Sequence, residues 1–320
     1  MSPRARVILV TGAAAVLAAA GAVAVGALQG DQATGDASAR PKPKEGRPPL
    51  ALALGVRDDA EAQDLARGAR LYRSGQLAQA TAVFDRYSSL EARIGSAFAH
   101  WPDHTLERLN QLAALHPKSA AVALHLGLAD YWAGGGSFES LWRDARTLEP
   151  DTPYAVTADN LLYPSFARNL PVFVTEVPLP ASLRRLSPAA QLDLLGTQAS
   201  DSTDAALRYG AFLQTLGRRL SAERVYRRAA AAAPNDPEAQ TAAAFGLFDK
   251  AAPAEAFSRL GPLSRRYPES PTVRFHLGLL LLWSGSFDAA RTQFEKARLV
   301  EPSSRLATEA KRYLDLLARR

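Results

Sequence analysis

The stretch FHLGLLLLWSGSFDAARTQFEKARLVEP, Phe275 to Pro302, closes a run that begins at Ser202 and in which the same residue types return every 34 positions. Small residues recur at Gly210, Ala244 and Gly278, alanine at Ala222, Ala256 and Ala290, a large apolar residue at Tyr226, Leu260 and Phe294, and proline at Pro234, Pro268 and Pro302. A fixed period of this length, with apolar residues at helical spacing and proline as punctuation, reads as stacked helical hairpins. One hairpin cannot bury its apolar stripe alone, so each unit covers the face of the next. Gly210 and Gly278 are expected where the first helix approaches the second, with Ala222 and Ala290 opposite them, and the prolines stop the second helices.

The tetratricopeptide repeat has a small residue and Gly or Tyr in its first helix, then Ala, an aromatic, Ala and Pro in and just after its second, and this register resembles it. The resemblance implies an all-α, helical-hairpin solenoid that holds a protein or peptide partner. It is clearest in three units, 203–236, 237–270 and 271–304, inside an array spanning 187–304. The middle unit departs from the pattern, because Gly261-Pro262 falls within its expected second helix, which should then be kinked or broken. In the family, partners are held by first-helix positions that look into the concave face. Carried onto this sequence, those positions are Phe245, Phe248, Phe275, Leu279, Leu282 and Trp283, with Tyr131 and Trp132 in an earlier block. The set is apolar and lacks the Lys, Asn and Arg residues with which some relatives clamp a terminal carboxylate, so the partner it implies is an apolar segment.

Upstream, 50–150 reads as degenerate hairpins. Gly68, Gly75, Ala80 and Phe84 keep the register of the later units, and Ser88 to Trp101 with Asp103 to Leu115 make a further helix pair. LHLGLADYWAGGGSF, Leu124 to Phe138, echoes FHLGLLLLWSGSF, Phe275 to Phe287, as an internal duplication does; Gly135 and Gly136 lengthen its turn, and its second helix is a turn shorter. His125 and His276 then occupy equivalent places, for which packing or a surface position is the expectation. Between 151 and 186 the prolines come too often for long helices, and a Pro-rich irregular insertion is expected, with one short helix around Ala158 to Phe166. Its apolar Val172-Phe173-Val174 is expected to fold back on the inner face of the array as a built-in lid. Ser187-Pro188 opens a new helix, and 305–320 supplies a capping helix.

Val7 to Leu28 is an apolar run with Thr11 as its only polar residue, long enough for a transmembrane helix over 7–28. Arg4 and Arg6 precede it and no cation follows until Arg40, which keeps 1–6 in the cytoplasm and places the rest outside. A cleaved signal peptide, with Ala22, Ala24 and Ala27 offering a cut site, is the alternative. Residues 29–49 have hardly an apolar side chain and read as a disordered linker. The abundance of Arg and Ala accords with a bacterial chain, hence a single-pass protein of a bacterial cytoplasmic membrane with its repeats extracytoplasmic.

The 320 residues carry a net charge of +6 and a pI near 9.7, but the compartment argues against nucleic acid. With no cysteine, the chain has no disulfide framework, thiolate site or cysteine nucleophile. His100 and His104 flank Asp103 four apart, yet Pro102 breaks the helix that would align them, so no metal is expected. AGGGS, Ala133 to Ser137, lacks the Lys-Ser/Thr of a phosphate loop, and neither a Gly-x-Ser-x-Gly elbow nor a His-Glu-x-x-His motif occurs. No cofactor and no catalysis is implied. Arg218, Arg219, Arg224, Arg227 and Arg228 form a basic stripe that reads as a solvated helix face, with anionic headgroups as the functional alternative. The expected role is a membrane-tethered scaffold for protein–protein interaction or complex assembly. The alternatives are a structural spacer with a self-filled groove and an accessory domain of an envelope enzyme complex.

Overall fold

The computed structural model describes residues 43–319. The transmembrane helix placed over 7–28, the segment before it and most of the linker lie outside the described residues. Among the described residues there are sixteen helices and no strand, and no helix is long and apolar enough to cross a membrane. The chain is all-α. It divides into two compact units, the first ending at Leu162 and the second beginning at Tyr163.

The first unit contains α1 (Ala60–Arg73), α2 (Leu77–Phe84), α3 (Leu90–Ala99), α4 (Thr105–Leu115), α5 (Ala120–Trp132), α6 (Phe138–Leu148) and α7 (Pro153–Leu162). The second contains α8 (Ala181–Arg184), α9 (Pro188–Gln198), α10 (Thr203–Thr215), α11 (Arg219–Ala232), α12 (Pro237–Gly246), α13 (Ala254–Arg266), α14 (Pro271–Trp283), α15 (Phe287–Val300) and α16 (Arg305–Ala318). Along the first unit, and from α9 onward in the second, consecutive helices pack on one another. The first helices of successive hairpins also touch, α1 to α3 to α5 to α7 in one unit and α10 to α12 to α14 to α16 in the other, forming an inner row.

Local chemistry sets these boundaries. Asp59, Ser89, Ser119, Ser187, Ser202, Ser270 and Ser304 each accept a hydrogen bond from the backbone N–H three residues on, capping α1, α3, α5, α9, α10, α14 and α16. Helix α14 ends in a left-handed residue, Gly285 at φ 80°, whose N–H donates to Leu282 O while the N–H of Ser286 donates to Leu281 O at 2.8 Å. This glycine-terminated turn satisfies the last carbonyls and reverses the chain into α15. The same pair of bonds recurs after α1, α5 and α10.

Inside the hairpins α1–α2, α5–α6, α10–α11 and α14–α15 a glycine of the first helix receives an aromatic ring from the second, whereas α12–α13 has Ala244 and Leu260 in those places. A Cβ on Gly278 would stand 2.8 Å from Phe294, on Gly210 2.3 Å from Tyr226, and on Gly68 2.8 Å from Phe84. The glycines therefore make room for the ring of the register.

Three boundaries differ from expectation. Helix α13 runs unbroken through Pro262. A proline clashes with the Cβ of the residue before it in helical conformation, and Gly261 has none, so the helix loses a hydrogen bond there without breaking. The 151–186 stretch is not one insertion: α7, at Pro153–Leu162 rather than around 158–166, packs on α5 and α6 within the first unit. Finally, the order of the first unit starts before residue 50. Pro48 is buried and its carbonyl accepts the Tyr72 hydroxyl at 2.6 Å.

Candidate functional site

In the second unit residues 170–177 cross the inner row, extended as far as Thr175 and bent at Glu176 and Val177, and we call them the strap. Pro171, Phe173 and Thr175 are buried while Val172 and Val174 are partly exposed, the alternation of an extended chain lying flat on a surface. The Phe173 ring stacks on His276 with centroids 4.0 Å apart and meets Phe245 at 5.8 Å and Tyr226 at 5.5 Å. These rings come from three different hairpins, so the strap ties the hairpins together.

Side chains of the helices hold the strap's backbone. The N–H of Phe173 donates to Gln214 Oε1 at 2.8 Å, an oxygen that also accepts the Tyr226 hydroxyl at 2.9 Å. The N–H of Val174 donates to His276 Nε2 at 3.0 Å, and His276 Nδ1 lies 2.7 Å from Thr272 O. A carbonyl only accepts, so Nδ1 carries the proton and Nε2 is bare: the ring is neutral. Burial pushes its pKa down to about 3, with Arg305 adding to the effect and the Thr272 carbonyl opposing it. The N–H of Glu176 donates to Glu238 Oε1 at 2.7 Å, while Arg305 donates to the Thr175 carbonyl and Thr272 to the Glu176 carboxylate. Glu238 is 8% exposed, and that burial, with Glu176, Asp204 and Asp236 around it, raises its pKa to about 7 against the bond from Glu176 N–H.

The first unit repeats this arrangement with another segment. Residues 47–54 run extended, with Pro48, Leu50, Leu52 and Leu54 buried and Ala51 and Ala53 partly so. The N–H of Ala51 donates to His125 Nε2 at 3.2 Å, and His125 Nδ1 lies 2.7 Å from Ala121 O. Two residues on, the N–H of Ala53 donates to the Tyr154 hydroxyl at 3.2 Å. His125 packs edge-on against Phe98 at 5.1 Å, and burial lowers its pKa to about 4. Each unit thus carries a proline, a large apolar residue two positions later, and an amide three positions later bonded to a buried, neutral imidazole.

The family-derived partner positions separate into three groups. Phe245, Phe248 and Trp283 meet the strap region: Phe245 touches Phe173, Phe248 lies 6.3 Å from Phe166, and Trp283 Nε1 donates to Asn169 O at 3.3 Å. Phe275 packs 5.7 Å from Phe294 and 5.9 Å from Tyr313, in the core between its hairpin and α16. With Leu279 and Leu282 it is buried in the cluster of its unit. In the first unit Trp132 is buried and Tyr131 half-buried; Lys44 Nζ lies 4.5 Å over the Tyr131 ring. Trp132 also lines an open cleft of about 360 Å³ with Trp101, Pro102 and Leu106. Gln214, His276, Glu238 and Arg305, which grip the strap, were absent from the sequence-derived set. The echo of His125 in His276 was the available signal.

His100 Nδ1 lies 2.8 Å from Ser96 O and His104 Nδ1 3.1 Å from the Glu107 carboxylate, and among the described residues no acid–histidine cluster fit for a metal occurs. Arg218, just before α11, and Arg224, Arg227 and Arg228 on it are exposed, Arg227 lies 3.5 Å from Glu223, and Arg219 lies 3.4 Å from Asp249. Compared with protein-family models and with curated proteins, the sequence gives no match.

Proposed function

We propose that this chain is a membrane-tethered, tetratricopeptide-like scaffold on the outer side of a bacterial cytoplasmic membrane, and that it works in complex assembly by holding extended polypeptide against its inner rows of helices. The observation that carries the reading is the repetition of one grip: a buried imidazole accepting a backbone N–H from an extended segment, through His125 in one unit and His276 in the other. The 34-residue register supports the family assignment, and the apolar run at Val7 to Leu28 supports the tether.

A test places a photocrosslinking residue at Val172 or Val174 on the strap's partly exposed face, and a control at Arg291 on the exposed side of α15, in the full-length chain in cells. Discrete intermolecular products from the strap positions, missing from the control, are expected. Equal products at all three positions would overturn the assignment. A reporter fused after Arg320 should be active outside the cytoplasm, and a cytoplasmic signal would remove the tethered topology.

The burial of Phe245, Phe248 and Trp283 beneath the chain's own strap favours a second reading, a spacer whose groove is closed for good. In that case the strap positions yield intramolecular products alone.

A further inference from the structure

Resting on the interaction reading above, the inference concerns what the inner face of the second unit takes and how it is admitted. We propose that the strap is an exchangeable occupant. The same face binds an extended segment of a partner protein that carries a proline, a bulky apolar residue two positions later and a residue with a free N–H three positions later, displacing residues 170–177 as it binds.

The pattern is read from two occupants that differ in sequence. Pro48, Leu50 and the Ala51 amide fill one face; Pro171, Phe173 and the Val174 amide fill the other. Leu52 stands where the second strap has Thr175, so the fourth position accepts side chains of different chemistry provided they fit a buried site. What the two segments share is extended backbone, one large apolar anchor and one amide.

The polar grip on the strap is mostly on its main chain. Gln214, His276 and Glu238 accept the N–H groups of Phe173, Val174 and Glu176, and Arg305 donates to the Thr175 carbonyl. Main-chain groups are supplied by any polypeptide, which leaves specificity to the apolar anchor and to the need for an N–H opposite His276. A proline at that position has no hydrogen to offer. Leaving His276 Nε2 without its donor in a fully buried place is costly, so the imidazole rejects segments out of register.

The strap is also placed to leave. It is not part of a helix, its outer face is partly open, and Val177 at its end is 44% exposed. Its departure strips contacts from one side only and breaks no helix. An incoming segment competes with a tethered rival whose effective concentration is on the order of millimolar, so affinity for the intact chain is set by how firmly Phe173 is seated.

The test uses the full-length chain and a fluorescent peptide with the sequence Asn169 to Pro180. Weak binding to the unaltered chain is expected, with binding about tenfold or more tighter to the Phe173→Ala chain, whose strap is a poorer competitor. A peptide carrying Val174→Pro should lose that binding. Absence of binding to a cooperatively melting Phe173→Ala chain overturns the proposal, as does indifference to the Val174→Pro change in the peptide. If Phe173→Ala does not fold, hydrogen exchange on the unaltered chain decides: excess peptide accelerates exchange of the Val174 amide if the strap is displaced, and leaves it unchanged if the proposal is wrong. Sedimentation showing a dimer that forms without peptide, with the Val174 amide still protected, assigns the face to strap exchange between copies and overturns a partner segment. The two claims fail separately. Peptide exchange without any partner crosslink in cells sinks the scaffold reading alone, and crosslinked partners with an immovable strap sink this one alone.

Discussion

At the scale of single residues, Gly278 decides how closely α14 and α15 approach. Any side chain there enters space held by the Phe294 ring, which is itself fully buried and stacked on Tyr313 at 5.2 Å. Gly278→Leu is therefore expected to cost about 1–3 kcal/mol. Chemical denaturation would measure it, and an unchanged midpoint would contradict the packing described. Glu238 gives a prediction of another kind. Its folded pKa, near 7, lies above the ordinary 4.5, so the folded state binds this proton more tightly than the unfolded one. Stability from this group is complete below pH 4.5 and is lost as pH rises through 7. Glu238→Gln keeps an acceptor for the Glu176 N–H and removes the proton. The variant should gain stability relative to the parent as pH rises from 4.5 to 8, and parallel stability profiles would refute the assignment. The glycine was legible in the sequence because its spacing repeats. Glu238 was not, because nothing in PEAQ shows that a strap 62 residues earlier will bury its carboxylate.

At the scale of elements, α13 shows local chemistry overriding a local rule. Pro262 alone predicts a broken helix, and Gly261 before it removes the clash that would break it. The carbonyl of Ser258, one turn back, still has no helical donor. Restoring one with Pro262→Ala should stabilise the chain by about 1–3 kcal/mol, below or at the full interior-proline penalty since the native helix has already adapted. A thermal melt below that of the parent would show that the proline serves a packing role. The straps show the converse. Val172-Phe173-Val174 was expected on the inner face because such a run is not left in water, and it lies there. By sequence the earlier strap reads as linker up to residue 49 and helical hairpin from residue 50, although Leu50, Leu52 and Leu54 alternate with alanine at the period of an extended chain. Five residues of alternation in an alanine-rich sequence are easily read as the start of a helix.

Across the whole molecule, the two units share a construction and each buries its own apolar cluster. Both depend on a neutral, buried imidazole, and this produces an acid sensitivity. The pKa values of His125 and His276 are depressed to about 4 and about 3 from the ordinary 6.5 by burial. Their contribution to stability is complete above pH 6.5 and is lost as pH falls towards those values, opposite in direction to the effect of Glu238. Nuclear magnetic resonance of the two imidazoles should show neither titrating above pH 5. A midpoint near 6.5 for either would mean that its strap does not cover it in solution.

From the sequence alone came the helical class, the hairpin period in the last third of the chain and the positions where only glycine fits, because each depends on residues within one 34-residue unit. Whether the inner face stands open was a different matter. The partners that close it are 41 residues apart for Phe173 and Gln214, 102 for Val174 and His276, and 130 for Thr175 and Arg305. No periodicity encodes contacts at such separations. They exist because stacking the hairpins brings side chains from several units into one row, and the apolar segment nearest that row covers it.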